Sequence, residues 1–239
     1  MTAWTEPELR SLDHNDHRRA FLRYLRGERH AMDKQDFLLK WIAPAEGDFV
    51  LECGCSGGKT CVDLARRGGC RTLGIDFDPE AVAIARQMRD EHFPHLKDRC
   101  RFDVGDLAEM PFDAGITKVV LADFTEHVPD EVLERILANI RRQLPGVRLY
   151  VYTPVRSHLF ERMKHRNFIL RSRSGHINVK TEAQLTGFLE SRGWRVQEHR
   201  WRPSHLPVVN VAERLLGRLP WVGTLFRRRM AVLAVPAND

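Results

Sequence analysis

A mostly parallel α/β sheet of seven strands, with helices on both faces, is the fold predicted for this 239-residue chain. Three observations predict it. Short apolar runs alternate with helical stretches from Phe49 onward, a rhythm that buries strands between two helical layers. The first run, Phe49-Val-Leu-Glu-Cys53, passes into a glycine-rich turn, Gly54-Cys-Ser-Gly-Gly58. The second ends on a carboxylate, Thr72-Leu-Gly-Ile-Asp76. Such a turn lets backbone approach a ligand, and an acid at the next strand tip accepts hydrogen bonds from a ribose diol.

In chain order, Asp16–Trp41 has apolar residues at three- and four-residue intervals (Phe21, Leu22, Leu25, Phe37, Leu38, Trp41). This predicts a helical segment that Gly27 divides in two. Pro44 and Gly47 mark the turn into the first strand. Strands are then expected at 49–53, 71–75, 100–104, 117–122 and 148–153, and helices at 58–67, 79–92 and 130–143. Asp78-Pro79 reads as an N-cap followed by proline at the first helical position. Leu144-Pro145-Gly146 stops the helix before it. A helix from Thr181 to Arg192 (Thr181 as N-cap), a strand over 193–201 and a last strand over 230–235 complete the sheet.

The domain organisation expected is an N-terminal helical cap, 1–48, ahead of a single α/β domain, 49–239. Helical inserts interrupt that domain at 154–178 and 206–229. Long insertions of this kind are functional lids or disordered segments. The second insert carries Leu215, Leu216, Leu219, Trp221, Val222, Leu225 and Phe226 among arginines. It reads as a cap packed over the site or as a surface docking on a membrane or a lipid-like substrate.

The net charge of +6 is unevenly placed. Residues 1–50 hold eight Lys/Arg against nine acids, residues 154–178 six against one, and residues 192–229 nine against two. A basic second half attracts anionic substrates, RNA or an acidic membrane surface, though arginine-rich solvated faces also occur with no partner. No apolar run reaches the roughly 20 residues of a membrane span. The first residues have no apolar core of a secretory signal, so a cytoplasmic location is expected. The five cysteines lack a paired C-x-x-C and read as reduced, buried side chains.

Two nucleotide motifs are excluded by spacing. A dinucleotide fingerprint needs glycine where Ser56 stands, and a P-loop ending Gly58-Lys59-Thr60 needs glycine at Cys53. Glu52, Gly54 and Gly58 instead resemble motif I, Glu/Asp-x-Gly-x-x-x-Gly, of the class I S-adenosylmethionine-dependent methyltransferases. Gly74-Ile-Asp76-Phe-Asp-Pro79, Gly105-Asp106-Leu-Ala-Glu-Met-Pro-Phe112 and Val119-Val-Leu-Ala-Asp123 resemble the family's next three motifs, in order. The resemblance implies a Rossmann-like domain that binds S-adenosylmethionine. Glu52, Gly54, Ser56 and Gly57 would then flank the methionine part of the cofactor and Asp76 would hold the ribose. Phe77 would lie against the adenine, with Asp106 and Leu107 at its edge.

Directly after the fourth strand comes Asp123-Phe-Thr-Glu126-His127. Two carboxylates and an imidazole at i, i+3 and i+4 share one face of a helical turn, and this donor set suits Mg, Mn, Fe or Zn. The pattern resembles the E-x-x-E-H metal site of the ubiquinone-pathway O-methyltransferases. It also resembles that of the small-RNA 2′-O-methyltransferases, which add a histidine after strand five, where His176 stands here. That resemblance implies Asp123, Glu126, His127 and His176 as ligands, with Glu126 and His127 catalytic. The Asp at 123 departs from the pattern and leaves it open that Asp123 serves the cofactor pocket, and that His127 acts without metal, as a base or in packing. Methyl transfer to a small-molecule hydroxyl is the activity expected, with an anionic or lipid-like acceptor favoured by the basic inserts. RNA 2′-O-methylation and N- or C-methylation of a metabolite are the alternatives.

Overall fold

The computed structural model describes residues 14–157, 176–203, 207–217, 219 and 223–237. Helices α1 (His14–Leu25) and α2 (Arg29–Ile42) precede β1 (Phe49–Cys53), α3 (Lys59–Gly68), β2 (Arg71–Asp76), α4 (Pro79–His92), β3 (Cys100–Val104) and β4 (Lys118–Ala122). Then follow α5 (Asp130–Gln143), β5 (Arg148–Pro154), α6 (Glu182–Glu190), β6 (Trp194–Arg202), α7 (Pro207–Leu216) and β7 (Arg229–Pro236). The strand order is β3-β2-β1-β4-β5-β7-β6. Pairings β1–β2, β1–β4 and β2–β3 are parallel, whereas β7 runs antiparallel to β5 and β6. The sheet is thus the expected mostly parallel one of seven strands.

The chain forms two compact units. The first is Met1–Val120 with Arg142–Leu144, and the second Leu121–Arg141 with Pro145–Asp239.

In the first unit, β1 and β4 are buried along their whole length, as strands covered on both faces must be. Gly27, with φ of 66°, breaks α1 from α2 as predicted. Phe21 and Tyr24 of α1 enter the core formed by Cys55, Cys61, Val62, Ala85, Met88 and Phe102. Tyr24 donates to Asp63 at 2.6 Å, and the same carboxylate takes a fork from Arg67 at 2.7 and 2.6 Å. Burial, with Asp63 beside it, pushes the Tyr24 hydroxyl far above its usual range. Helix α2 ends on Ala43, whose φ of 43° is unusual without glycine. Lys118 makes that end tenable. Its ammonium donates to the carbonyls of Ile42 (3.2 Å) and Ala43 (3.0 Å) and to Asp48 (2.7 Å). Helix α4 starts as predicted: Pro79 stands at its first position and the Asp78 carboxylate accepts from the Glu80 N–H at 2.9 Å. Such a cap is worth about 1 kcal/mol.

In the second unit, Thr181 closes a full capping box with Gln184 at the start of α6. Strand β6 carries an irregularity between Val196 and Glu198 that interrupts its simple alternation. The Arg156 N–H donates to the Lys180 carbonyl at 3.0 Å, so the chain on either side of residues 157–179 meets itself. Most of the 154–178 insert lies outside the described residues. The 206–229 insert contains α7 and a short 3₁₀ turn, Gly223–Phe226, while Trp221 and Val222 lie outside them. The apolar residues expected to pack there divide: Leu216, Leu225 and Phe226 are half-buried, but Leu215 and Leu219 are exposed.

Candidate functional sites

The glycine turn and Asp76 form a continuous hydrogen-bonded unit at the carboxyl ends of β1 and β2. The Gly54 and Cys55 N–H groups donate to the Ile75 carbonyl at 2.8 and 3.1 Å, which ties the turn to β2. Gly54 (φ 69°), Ser56 (φ 50°) and Gly58 (φ 77°) all take the left-handed region. Glycine is required at 58 for a second reason: a Cβ there would lie 2.6 Å from the Phe102 ring and 2.8 Å from Ala85. The reversal points the Ser56 N–H at Asp76 Oδ2 (2.8 Å), while the Asp78 N–H donates to Oδ1 (3.1 Å). Burial raises the Asp76 carboxyl above its usual value, and these two N–H groups counteract part of that rise.

Glu52 is fully enclosed, with one oxygen accepting from the Cys61 N–H and Sγ, each at 3.1 Å. Burial raises its pKa too, with the Cys61 contacts opposing. Its carboxylate therefore holds the turn to the first turn of α3. Phe77 is 49% exposed, an aromatic face open to a ligand. The Gly105 N–H donates to the Asp76 carbonyl at 3.0 Å, bringing the Gly105-Asp106 turn beside the same strand tip. Asp106 caps that turn through the Ala108 N–H at 2.8 Å, and Leu107 is buried. Glu52, Gly54, Ser56, Gly57, Asp76, Phe77, Asp106 and Leu107 thus occupy the ends of three adjacent strands. The left-handed turn and the ionisable acid at the second strand tip fit a nucleoside cofactor.

One residue of this region went unseen in the sequence. His17 of α1 hydrogen-bonds Ser56 through Nδ1, and its backbone carbonyl lies 3.0 Å from where a Cβ on Gly57 would be. A helix that buries its apolar face in this core carries no separate mark for one polar neighbour 39 residues ahead of its partner.

The second cluster lies in the second unit. After β4, Asp123 adopts φ of 59°, and Thr125–His127 form one 3₁₀ turn rather than a regular helical turn. The Asp123 N–H donates to the Tyr152 carbonyl at 2.8 Å and its carboxylate pairs with Arg229. Asp123 therefore does not join the ligand-spaced group, which is Glu126, His127 and His176, with one donor atom from each lying within 4.8 Å of the others. The left-handed residue before the turn and the Arg229 pair are the physical reasons for the difference from i, i+3, i+4 spacing.

His176 arrives by backbone bonding. The Ile177 and Asn178 N–H groups both donate to the Glu126 carbonyl, each at 3.0 Å. Asn178 also donates to the Val128 carbonyl and to Asp130, both at 2.8 Å. The His127 and His176 rings then meet edge to face, with centroids 4.9 Å apart.

Glu126 is fully buried. Its Oε2 accepts from the Thr153 hydroxyl at 3.0 Å, whereas Oε1 has no hydrogen-bond donor and sits 3.8 Å from the Arg229 guanidinium. Burial first, and the Asp123 charge second, push Glu126 up to about 7, with Arg229 opposing. A buried carboxylate oxygen lacking a donor beside two imidazoles is the environment a divalent cation completes, so the residues present fit a metal. Arg229 and Thr153 were not anticipated, since Arg229 joins Asp123 from 106 residues away.

Comparison with known proteins gives the fold and the first site a common context. Residues 50–145 match the family described as "Methyltransferase domain". Norajmaline N-methyltransferase of Rauvolfia serpentina is 33% identical over 104 residues, covering 43% of this chain and 34% of that protein. Magnesium-protoporphyrin O-methyltransferase of Rhodobacter capsulatus is 29% identical over 105 residues, 44% of this chain and 45% of that one. The chain thus spans less than half the length of either relative. Among solved structures, magnesium protoporphyrin IX methyltransferase from Synechocystis PCC 6803 with bound SAH superposes with a TM-score of 0.63 at 16% identity, over 88% of this chain and 86% of that one. The motif order and the seven-stranded sheet agree with these matches, and residues 50–145 carry a methyltransferase domain in keeping with the class I S-adenosylmethionine-dependent methyltransferases.

Proposed function

We propose that the chain transfers the methyl group of S-adenosylmethionine to a hydroxyl of a small molecule, assisted by a divalent ion on Glu126, His127 and His176. The observations that carry the metal half are the grouping of one donor atom from each of those residues within 4.8 Å and a buried Glu126 oxygen with no hydrogen-bond donor. One carboxylate and two imidazoles favour Zn, Mn or Fe over Mg, which prefers an all-oxygen shell.

The cofactor supplies an already activated methyl, so the chain's task is to orient, to exclude water and to manage one proton. Asp76 accepts from the ribose hydroxyls, and Phe77 and Leu107 flank the base. A bound ion at the second cluster supplies Lewis acidity that lowers the pKa of an acceptor hydroxyl. Glu126 and His127 hold that centre, Thr153 fixes the Glu126 rotamer, and the Asp123–Arg229 pair sets the local charge.

Arg229, 3.8 Å from Glu126, favours a second reading in which a cation is already in place and His127 serves as a metal-free base. Calorimetric titration of chelator-stripped protein with a metal series separates the two. Uptake of one ion per chain, abolished in His127→Ala and His176→Ala, supports the metal reading. No uptake, with turnover indifferent to chelator, overturns it. Nitrogen acceptors, as in the name of the Rauvolfia relative, then stand level with oxygen. The basic second half favours an anionic or lipid-like acceptor; RNA in its place would show a steep fall of affinity with salt.

A further inference from the structure

Among the described side chains of helix α7, an acid is buried and two aliphatic residues face outward. Its glutamate, Glu213, is only 5% exposed, while Val211 and Leu215, one turn apart on one face, are 57% and 66% exposed. Leu219, just past the helix, is 45% exposed. A surface helix of a soluble domain turns such residues inward.

The arrangement is anchored, not frayed. The Gly217 N–H donates to the Glu213 carbonyl at 2.9 Å, and the Gly223 N–H to the Leu219 carbonyl at 2.9 Å. Arg227 Nε donates to the Gly217 carbonyl at 3.1 Å, its guanidinium lies 4.2 Å from the centre of the Trp201 ring, and it pairs with Glu182 at 3.3 Å. The aliphatic side chains are therefore presented by a fixed backbone.

Their setting is cationic. Residues 206–229 contain five arginines, of which Arg227 pairs with Glu182 and Arg229 with Asp123, and, as their one acid, the buried Glu213. Outward aliphatic side chains in a stretch of sequence with a net positive charge fit the interface of an anionic bilayer, where apolar side chains enter the acyl boundary and the basic stretch is drawn to the negative surface. Among the described residues no helix is long and apolar enough to cross a membrane, so contact through this segment would be peripheral.

We propose that α7 and the turn after it, through Val211, Leu215 and Leu219, dock the protein on an anionic lipid surface. This is independent of which acceptor is methylated.

The test is co-sedimentation of the full chain with vesicles of phosphatidylcholine, alone or mixed with phosphatidylglycerol. Expected is binding to the anionic vesicles that weakens with salt, and a loss of roughly tenfold or more when Val211, Leu215 and Leu219 are all changed to Ser, with thermal unfolding unchanged. A second measurement does not depend on that variant. All five native cysteines are buried, so Leu215→Cys offers one exposed thiol for an environment-sensitive fluorophore, whose emission should shift to the blue on anionic vesicles. Failure of the wild-type chain to sediment, equal binding by the triple variant, or an unshifted fluorophore would overturn the proposal. So would a concentration-dependent dimer lost in the triple variant without vesicle binding, which would assign the face to a second copy of the chain.

Discussion

Replacing Asp76 tests the cofactor site at the residue where structure and motif converge. Its carboxylate accepts the Ser56 and Asp78 N–H groups at 2.8 and 3.1 Å and still has lone pairs for a ribose diol. Hydrogen bonds to a charged group contribute about 1.5–3 kcal/mol each, so two ribose contacts amount to about 3–6 kcal/mol, or roughly a hundredfold to ten-thousandfold in affinity. Asp76→Ala should weaken S-adenosylhomocysteine binding by that range in calorimetry. Its effect on folding should be smaller. The two turn N–H groups lose their acceptor, but removing the carboxylate also relieves the burial that raises its pKa. A net loss of about 1–3 kcal/mol in urea unfolding is expected. Asp76→Asn keeps an acceptor for one turn N–H and should fall between wild type and alanine in both measurements. Affinity within threefold of wild type, in a variant that folds, would place the ribose elsewhere and refute the assignment.

Gly58→Ala imposes a left-handed φ on a residue with a Cβ and drives that atom into Phe102, for an expected loss of about 2–4 kcal/mol in denaturant unfolding; a loss below 1 kcal/mol would contradict the packing. Burial alone would raise the Asp48 carboxyl, yet hydrogen bonds from Lys118, the Ala45 N–H and Thr117 hold it below the usual carboxylate range. A depressed folded-state value contributes stability that is present above the unfolded value of about 4 and lost as pH falls through the folded one. Lys118→Met should therefore lower the urea midpoint most at neutral pH, and the gap from wild type should narrow below about pH 4; a gap constant with pH would rule out this ion pair as its source. His127→Ala should abolish turnover while S-adenosylhomocysteine affinity, read by calorimetry, stays near wild type. A parallel loss of both would mean that the variant disturbs the fold.

Regular structure was most legible where punctuation and periodicity agreed. Helices 79–92 and 130–143 and strands 49–53 and 100–104 lie where Asp78-Pro79, Leu144-Pro145-Gly146 and the apolar runs put them. The glycine turn was legible because left-handed backbone leaves a mark in composition. Asp123 is the instructive contrast: its φ of 59° carries no glycine, so the spacing to Glu126 read as helical, and only the fold shows the carboxylate turned to Arg229. Contacts such as His17 with Ser56 belong to tertiary packing, where polar pairs distant in sequence have no period to betray them.

The hydrogen bond between Arg156 and Lys180 makes those two residues a fixed pair of anchors for the sequence between them. Both ends are stitched to one another, and the Ile177 and Asn178 amides fasten the downstream end to Glu126. Because the backbone bonds of Ile177 and Asn178 set the position of His176, its register with Glu126 and His127 does not depend on the sequence between Ser157 and His176. That makes Arg156 and Lys180 the natural joints for a graft that leaves the Glu126, His127 and His176 group in place.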